Sequence, residues 1–154
     1  MSEREPRFRY RLEPLAKLRA AERDALVVEA ARAAREVERR SSEHERIGRR
    51  VERAEWALRT LNRGGAEIRV DEQLRLRGYL RLQRDERERA GHELAGALRE
   101  QNRVLAALQD KQRDAKALET HRERKLRRFD EERARASAKA ADERWLQRRE
   151  RRGG

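Results

Sequence analysis

The chain contains no cysteine, only two prolines, and only two residues each of phenylalanine, tyrosine and tryptophan in 154 positions. The lack of cysteine excludes disulfide bonds and thiolate metal sites, and so few prolines leave long stretches with nothing to interrupt a helix. Hydrophobic residues make up 36% of the chain, which is little material for a globular core of this length. Two kinds of chain remain: a disordered one, and one whose long helices bury a narrow apolar stripe.

Charged residues are abundant, at 47% of the chain with a formal net charge of +12. Arginine, alanine, glutamate and leucine dominate the composition, and all four are good helix formers. Disordered segments usually carry more proline, serine and glycine, so the composition favours long helices. Basic residues are interleaved with acidic ones at helical spacing, which is typical of a solvated helix face. A nucleic-acid-binding or membrane-surface helix is the weaker alternative.

The N-terminal sequence MSEREPRFRYR lacks the apolar segment of a signal peptide. No apolar run approaches the roughly 20 residues needed to cross a bilayer. The sequence therefore predicts a cytoplasmic protein.

The second half of the chain carries a heptad repeat, in which contact positions recur at alternating spacings of four and three. Glutamine, arginine and lysine interrupt the repeat, where they lower stability but help to fix the register of pairing. Leu98 and Leu105 are expected to widen the stripe. The predicted contact positions are Leu76, Leu80, Gln83, Arg87, Ala90, Leu94, Ala97, Gln101, Val104, Leu108, Lys111, Ala115 and Leu118.

The first half carries a less regular stripe. Its later part keeps a strict repeat, but Ser41 and His44 occupy contact positions before it, so we expect a loosened or shifted coiled coil near residues 38–46. The predicted contact positions are Leu15, Leu18, Ala21, Ala25, Val28, Ala31, Ala34, Val37, Ile47, Val51, Ala54, Leu58 and Leu61.

The two stripes are separated by the sequence LNRGGAEIRV, whose Asn62, Gly64 and Gly65 form the strongest helix-breaking cluster in the chain interior. Asp71 suits the start of the next helix. A short link between two apolar stripes favours an antiparallel hairpin. The sequence thus predicts an all-α fold, a long antiparallel two-helix coiled-coil hairpin whose second helix is longer.

The predicted boundaries give a single coiled-coil domain over residues 1–154, with helices at about 14–61 and 71–149, a link at 62–70 and a basic disordered C-terminal end. Pairing about the link would place residue 15 opposite residue 117. Roughly the last 30 residues of helix two would then overhang without an intrachain partner. Because an isolated helix is marginal in water, this overhang should fray or dock on another protein.

Motifs for catalysis or metal binding are absent from the sequence. The histidines at 44, 92 and 121 have no histidine or cysteine partner at helical spacing, and the glycines form neither a phosphate-binding loop nor a dinucleotide fingerprint. Carboxylates are too evenly spread to single out an acid–base pair, and a two-helix hairpin offers no water-poor pocket. We therefore predict no enzymatic activity, no cofactor and no metal.

The aromatic residues are better indicators of function. Trp56 and Tyr79 are expected to pack against the partner helix, whereas Phe129 and Trp145 lie on the predicted overhang. Exposed aromatic residues together with arginine suit protein–protein contacts.

Two stretches of the chain carry a distinctive pattern. One is FRYRLEPLAKLR followed by AERDAL, with an aromatic–basic alternation and an RLE-x-L-x-KLR motif; the other is KALETHRERKLRRFDEERARASAKAADERW. Together they resemble the FliJ family of flagellar type III export proteins. The length and the single central break also fit, so the resemblance spans nearly the whole chain. The alanine- and arginine-rich contact positions, and Ala140-Ala141 before Asp142-Glu143, depart from the family pattern. Injectisome stalk proteins of the YscO/SctO type and other coiled coils therefore remain alternatives.

The resemblance implies a protein like the central stalk of rotary ATPases, located at the cytoplasmic face of the export apparatus. Its partners would be the hexameric export ATPase (FliI-like), the export-gate protein (FlhA-like) and substrate chaperones. A generic coiled-coil scaffold and a basic nucleic-acid-binding coiled coil are the other possibilities. The residues expected to face the ATPase are Phe8, Tyr10, Leu12, Leu15, Leu18, Leu126, Phe129 and Trp145. Those expected to face the gate or chaperones are Leu58, Leu61, Leu76, Tyr79 and Leu80.

Overall fold

The computed structural model describes residues 6–63 and 70–153, which form two long helices and contain no strand. Helix α1 spans Glu13–Arg63 and helix α2 spans Val70–Gly153. The predicted all-α hairpin with a longer second helix is confirmed. Gly64 and Gly65, which define the predicted break, lie outside the described residues, and α2 continues to Gly153, beyond the predicted end at 149.

The helix ends carry the charges that a helix dipole favours. Glu13 lies in the first turn of α1, and Asp71 and Glu72 lie in the first turn of α2. Arg151 and Arg152 lie in the last turn of α2. Acidic side chains at the N-terminal end and basic ones at the C-terminal end each typically stabilise a helix by about 0.3–1 kcal/mol.

The contacts of the hairpin fall into two compact units. Unit one comprises the described residues up to Arg23 together with those from Asp110 onward, and unit two comprises Asp24–Gln109. Each unit therefore contains part of α1 and part of α2.

The helices of unit two are antiparallel: as the residue number rises along α2, the number of the residue that it contacts on α1 falls. Near the link, Nε2 of Gln73 donates to Oδ1 of Asn62 at 2.5 Å. Further along α2, Arg84 forms an ion pair with Glu55 at 2.7 Å. Further still, Glu93 accepts a hydrogen bond from Arg40.

The apolar core of unit two is small and aliphatic. Val51, Ala54 and Leu80 are buried against one another, and Leu58 and Leu76 pack around them. Burying a large aliphatic side chain stabilises a fold by about 1.5–3 kcal/mol, so these residues hold the helices together near the link. The buried hydrophobic residues of the described chain are Ile47, Val51, Ala54, Leu80, Ala90 and Val104.

The predicted contact positions of α2 are confirmed with one exception. All are buried or half-buried except Arg87, which is exposed. Gln83 is buried, and no hydrogen-bond partner of its Oε1 is found among the described residues. An unpaired buried polar atom lowers stability, as expected for a polar residue that interrupts an apolar stripe.

The predicted contact positions in the first part of α1 are wrong. Leu15, Leu18, Ala21, Ala25, Val28, Ala31 and Ala34 are all exposed. Instead, the strict spacing of four and three continues back from Ile47 without the shift expected near residues 38–46. The half-buried positions that continue it are Leu12, Ala16, Arg19, Arg23, Leu26, Ala30, Ala33, Val37, Arg40 and His44.

Long polar side chains can take these positions because their stems pack while their charged or polar heads reach solvent. In unit two, glycines opposite such side chains leave the room they need. A Cβ added at Gly48 would lie 3.7 Å from Nε of Arg87, and one added at Gly91 would lie 3.6 Å from Nε2 of His44. A small residue on each helix thus faces a long polar residue on the other.

Candidate interaction site

The segment that precedes α1 lies against α2 in unit one. The ring of Phe8 contacts that of Phe129, with centroids 5.6 Å apart and planes tilted by 54°. Both side chains are half-buried. Tilted aromatic pairs of this kind contribute about 0.5–1.5 kcal/mol beyond the apolar area that they bury.

Tyr10 forms the second contact between this segment and α2. Its hydroxyl oxygen lies 2.7 Å from Nδ1 of His121 and 3.3 Å from the carbonyl oxygen of Leu118. The ring centroids of Tyr10 and His121 are 5.6 Å apart. Because the partners are on successive turns of α2, the aromatic side chain holds the segment in one register.

A turn connects this segment to α1. The backbone N–H of Glu13 donates to the carbonyl oxygen of Tyr10 at 3.1 Å, and that of Ala16 donates to Leu12 at 2.9 Å. The carboxylate of Glu13 also accepts a hydrogen bond from Nε of Arg122 at 3.3 Å. We name the segment formed by residues 6–12, with its contacts on α2, the N-terminal clasp.

The clasp changes the prediction for the overhang. Residues of α2 after about 117 were expected to lack an intrachain partner, but the clasp covers α2 as far as Phe129. Leu126 is half-buried as well. The aromatic–basic alternation at the start of the chain therefore lengthens the intrachain pairing.

Further along α2, large apolar side chains are exposed. The exposed fraction is 58% for Trp145 and 51% for Leu146. The guanidinium of Arg149, one turn later on the same helix, lies 5.3 Å from the centroid of the Trp145 ring. An exposed tryptophan beside arginine is a combination enriched at the centres of protein interfaces.

The eight residues assigned to an ATPase contact thus divide by accessibility. Leu15 and Leu18 are exposed on α1, and Trp145 is exposed on α2. The remaining five are half-buried in unit one: Phe8, Tyr10, Leu12, Leu126 and Phe129. Among them, Phe8 contacts Phe129, and Tyr10 contacts His121.

The residues assigned to a gate or chaperone contact divide in the same way. Leu80 is buried, with Leu58 and Leu76 packed against it. Leu80 is therefore unavailable to a partner while the helices are paired, which corrects its assignment to a surface. Leu61 is half-buried and Tyr79 is 45% exposed, so Tyr79 is the most accessible member of this set.

Several exposed apolar residues were not anticipated. Trp56 is 64% exposed and Tyr79 is 45% exposed, although packing against the partner helix was expected for both. Leu82 is 63% exposed, and Leu98 and Leu105 are 42% and 41% exposed. Counting positions from the strict contact repeat would have placed Trp56 and Leu82 away from the partner helix.

Many arginines form ion pairs with neighbouring acidic side chains. Arg39 and Arg40 hold the pKa of Glu36 at about 2, well below its ordinary value of 4.5. In unit one, Lys111 across the helices and Arg19 one turn away lower the pKa of Glu22, at distances of 2.9 and 3.0 Å. Such exposed pairs contribute little stability each, but they occupy the charges that a phosphate backbone would otherwise bind.

Within residues 6–63 and 70–153, histidine and carboxylate side chains form no group of three that could hold a metal ion. No described helix is long and apolar enough to cross a membrane. No family model, curated protein or solved structure matches the chain.

Proposed function

We propose that the protein is a non-enzymatic component of the flagellar type III export apparatus, which binds and regulates the hexameric export ATPase and links it to the export gate and substrate chaperones. Under this proposal it acts by binding alone. The proposal starts from the FliJ-like motifs at the two ends of the chain.

The observation that carries the proposal is the clasp. The N-terminal motif FRYRLEPLAKLR and the α2 stretch around Phe129 are far apart in sequence, but Phe8 and Tyr10 join them. The two stretches that resemble the family therefore share unit one, as a single binding surface for one partner would require.

Accessible apolar side chains in unit one support a protein contact there. Leu18 and Trp145 expose more than half of their surface. Burying such side chains in a partner's pocket is favourable, and tryptophan is among the residues that contribute most to binding. In unit two, Tyr79 is the side chain we assign to the gate or a chaperone.

The experiment is to add the purified protein to the export ATPase of the same organism and measure both binding and ATP turnover. We expect binding at micromolar concentrations and a rise in turnover, because a stalk that occupies the ring favours hexamer assembly. Changing Leu18→Ala together with Trp145→Ala should weaken binding about tenfold or more.

A matched control is Leu82→Ala, which removes a similarly exposed leucine from unit two and should leave ATPase binding unchanged. Absence of binding by the unmodified protein at micromolar concentrations would contradict the proposal. Equal losses for the double variant and the control would contradict only the assignment of these residues. Repeating the assay with an injectisome ATPase distinguishes the two secretion systems.

A further inference from the structure

The two lateral flanks of unit two differ in charge. On one flank, which we name the acidic flank, the residue directly before every second contact position is a glutamate. These contact positions are 30, 37 and 44 of α1 and 87, 94 and 101 of α2, and the glutamates are Glu29, Glu36, Glu43, Glu86, Glu93 and Glu100. The uncharged flank consists of the residues directly after contact positions 26, 33, 40 and 47 of α1 and 90, 97 and 104 of α2. These are Val27, Ala34, Ser41, Gly48, Gly91, Leu98 and Leu105.

One ion pair and one longer-range charge interaction between the helices indicate that each flank is shared by α1 and α2. Glu55 and Arg84 each directly follow a contact position, and their side chains meet at 2.7 Å. Residues that follow contact positions on the two helices therefore lie on the same side of the hairpin. On the opposite side, Arg103 has its pKa raised chiefly by Glu100 and also by Glu29 of α1.

The uncharged flank leaves large apolar side chains in water. Val27 is 48% exposed, and Leu98 and Leu105 are 42% and 41% exposed. A two-stranded coiled coil needs only its contact positions to be apolar, and its flanking positions are usually charged. Helices whose flanking position is apolar as well are typical of larger bundles, in which each helix has a second neighbour.

We propose that the uncharged flank of unit two binds the same flank of a second copy of this chain, forming a four-helix bundle. Two copies related by a two-fold axis present the same patch to each other. This patch can meet itself without like-charge repulsion because Val27, Ala34, Leu98 and Leu105 carry no charge. Association through the other side would have to desolvate ion-paired glutamates, such as Glu43 with Arg46 and Glu100 with Arg103, and is disfavoured by that cost.

The size of the patch predicts a weak dimer. The part of the flank that both helices form, from Gly91 to Leu105 of α2, is about 20 Å long at 1.5 Å per residue, and it is two helices wide. It therefore covers about 400 Å² on each copy, roughly half of the 800 Å² per partner of a standard interface. We expect a dimer that forms at about 100 µM and above and dissociates at low micromolar concentration.

Sedimentation velocity over a concentration series tests the proposal. The unmodified protein should shift from monomer to dimer as its concentration rises. Leu98→Glu with Leu105→Glu should remain monomeric, because facing carboxylates would be desolvated beside one another. Leu82→Glu, which places the same charge on an exposed leucine outside both flanks, should dimerise normally. Far-UV circular dichroism of each variant establishes that the helices are intact.

Cross-linking gives a second measurement, because the chain has no cysteine of its own. Under oxidation, Leu98→Cys should form a disulfide between copies far faster than Leu82→Cys. A protein that stays monomeric up to millimolar concentration would overturn the proposal. So would a dimer that survives the Leu98→Glu, Leu105→Glu change or that cross-links equally at both positions. The outcome is independent of ATPase binding, which is measured separately.

Discussion

Each of the two units contains part of α1 and part of α2, but the contacts between the helices differ from one unit to the other. Unit two contains the buried aliphatic residues of the described chain, centred on Val51, Ala54 and Leu80. Unit one, across its described residues, has half-buried rings, the Tyr10 hydrogen bonds and cross-helix ion pairs such as Lys111 with Glu22.

This difference indicates which part of the fold is more stable and which part opens more easily. Aliphatic burial contributes most of the free energy of folding, whereas exposed ion pairs and partly exposed rings contribute less. Regions with few buried contacts open at lower free energy than the core. Unit two is therefore expected to be the more stable part of the hairpin, and unit one is expected to open at lower free energy.

The largest expected effect comes from the core of unit two. Leu80→Ala should lower the free energy of unfolding by about 2–5 kcal/mol, because it removes apolar contacts and leaves a cavity. Urea denaturation followed by circular dichroism measures the change. Leu82→Ala, two positions away and exposed, should change it by less than about 0.5 kcal/mol. Similar losses for both variants would mean that the core does not dominate stability.

Removing the clasp should affect unit one alone. When Phe8, Tyr10 and Leu12 are changed together to Ala, we expect amide hydrogens at residues 118–129 to exchange at least about tenfold faster, since their covering contacts are lost. Amides at residues 76–104 should be unaffected. Hydrogen exchange followed by mass spectrometry measures both regions, and equal acceleration in both would show that the units are coupled.

Replacing a glycine of α2 should raise the free energy of unfolding, by less than the clasp or core variants lower it. A Cβ at Gly78 would meet nothing within 4 Å, so Gly78→Ala should raise the free energy of unfolding by about 0.5–1 kcal/mol through helix propensity. Gly153→Ala, at the last residue of α2, should have almost no effect because helix ends fray. Destabilisation by Gly78→Ala would indicate a contact at that surface.

The smallest effect is electrostatic and depends on pH. The folded pKa of Glu36 is about 2, below the ordinary 4.5, so its contribution to stability is present above about pH 4.5 and is lost as the pH falls toward 2. Urea midpoints of Glu36→Gln should lie below those of the unmodified protein at pH 7 and meet them near pH 2. Glu38→Gln, an exposed neighbour, is the control. A difference that persists at pH 2 would rule out this carboxylate as its cause.

The sequence predicted the fold and most of the α2 contacts because leucine and alanine there recur at strict spacing. It failed in the first part of α1, where Leu18 and Val28 form an apolar stripe of their own on the exposed side. Apolarity alone ranks Leu18 above Arg19, although the stem of Arg19 can pack and its head can pair with Glu22. Extending the register of Ile47 backward would have identified the contact positions actually used.

The clasp could not be predicted in detail, because periodicity carries no information about a segment outside the helices. An aromatic segment ahead of the first helix can either face a partner, as the resemblance implies for Phe8 and Tyr10, or lengthen the intrachain pairing. Only the positions of Phe129 and His121 on the paired helix decide between them.

The contact of Tyr10 with α2 also couples the direction of a hydroxyl hydrogen to the tautomer of a histidine. The hydroxyl has one hydrogen to donate, and the carbonyl oxygen of Leu118 can only accept it. When the hydroxyl donates there, its contact with His121 is a hydrogen bond only if Nδ1 of the imidazole carries a hydrogen and donates to the phenolic oxygen. The tautomer of His121 and the direction of the Tyr10 hydroxyl are therefore linked: with a hydrogen on Nδ1 the hydroxyl is left to donate to Leu118, and with the hydrogen on Nε2 the hydroxyl can donate to Nδ1 instead. Nitrogen chemical shifts of the imidazole distinguish the two arrangements.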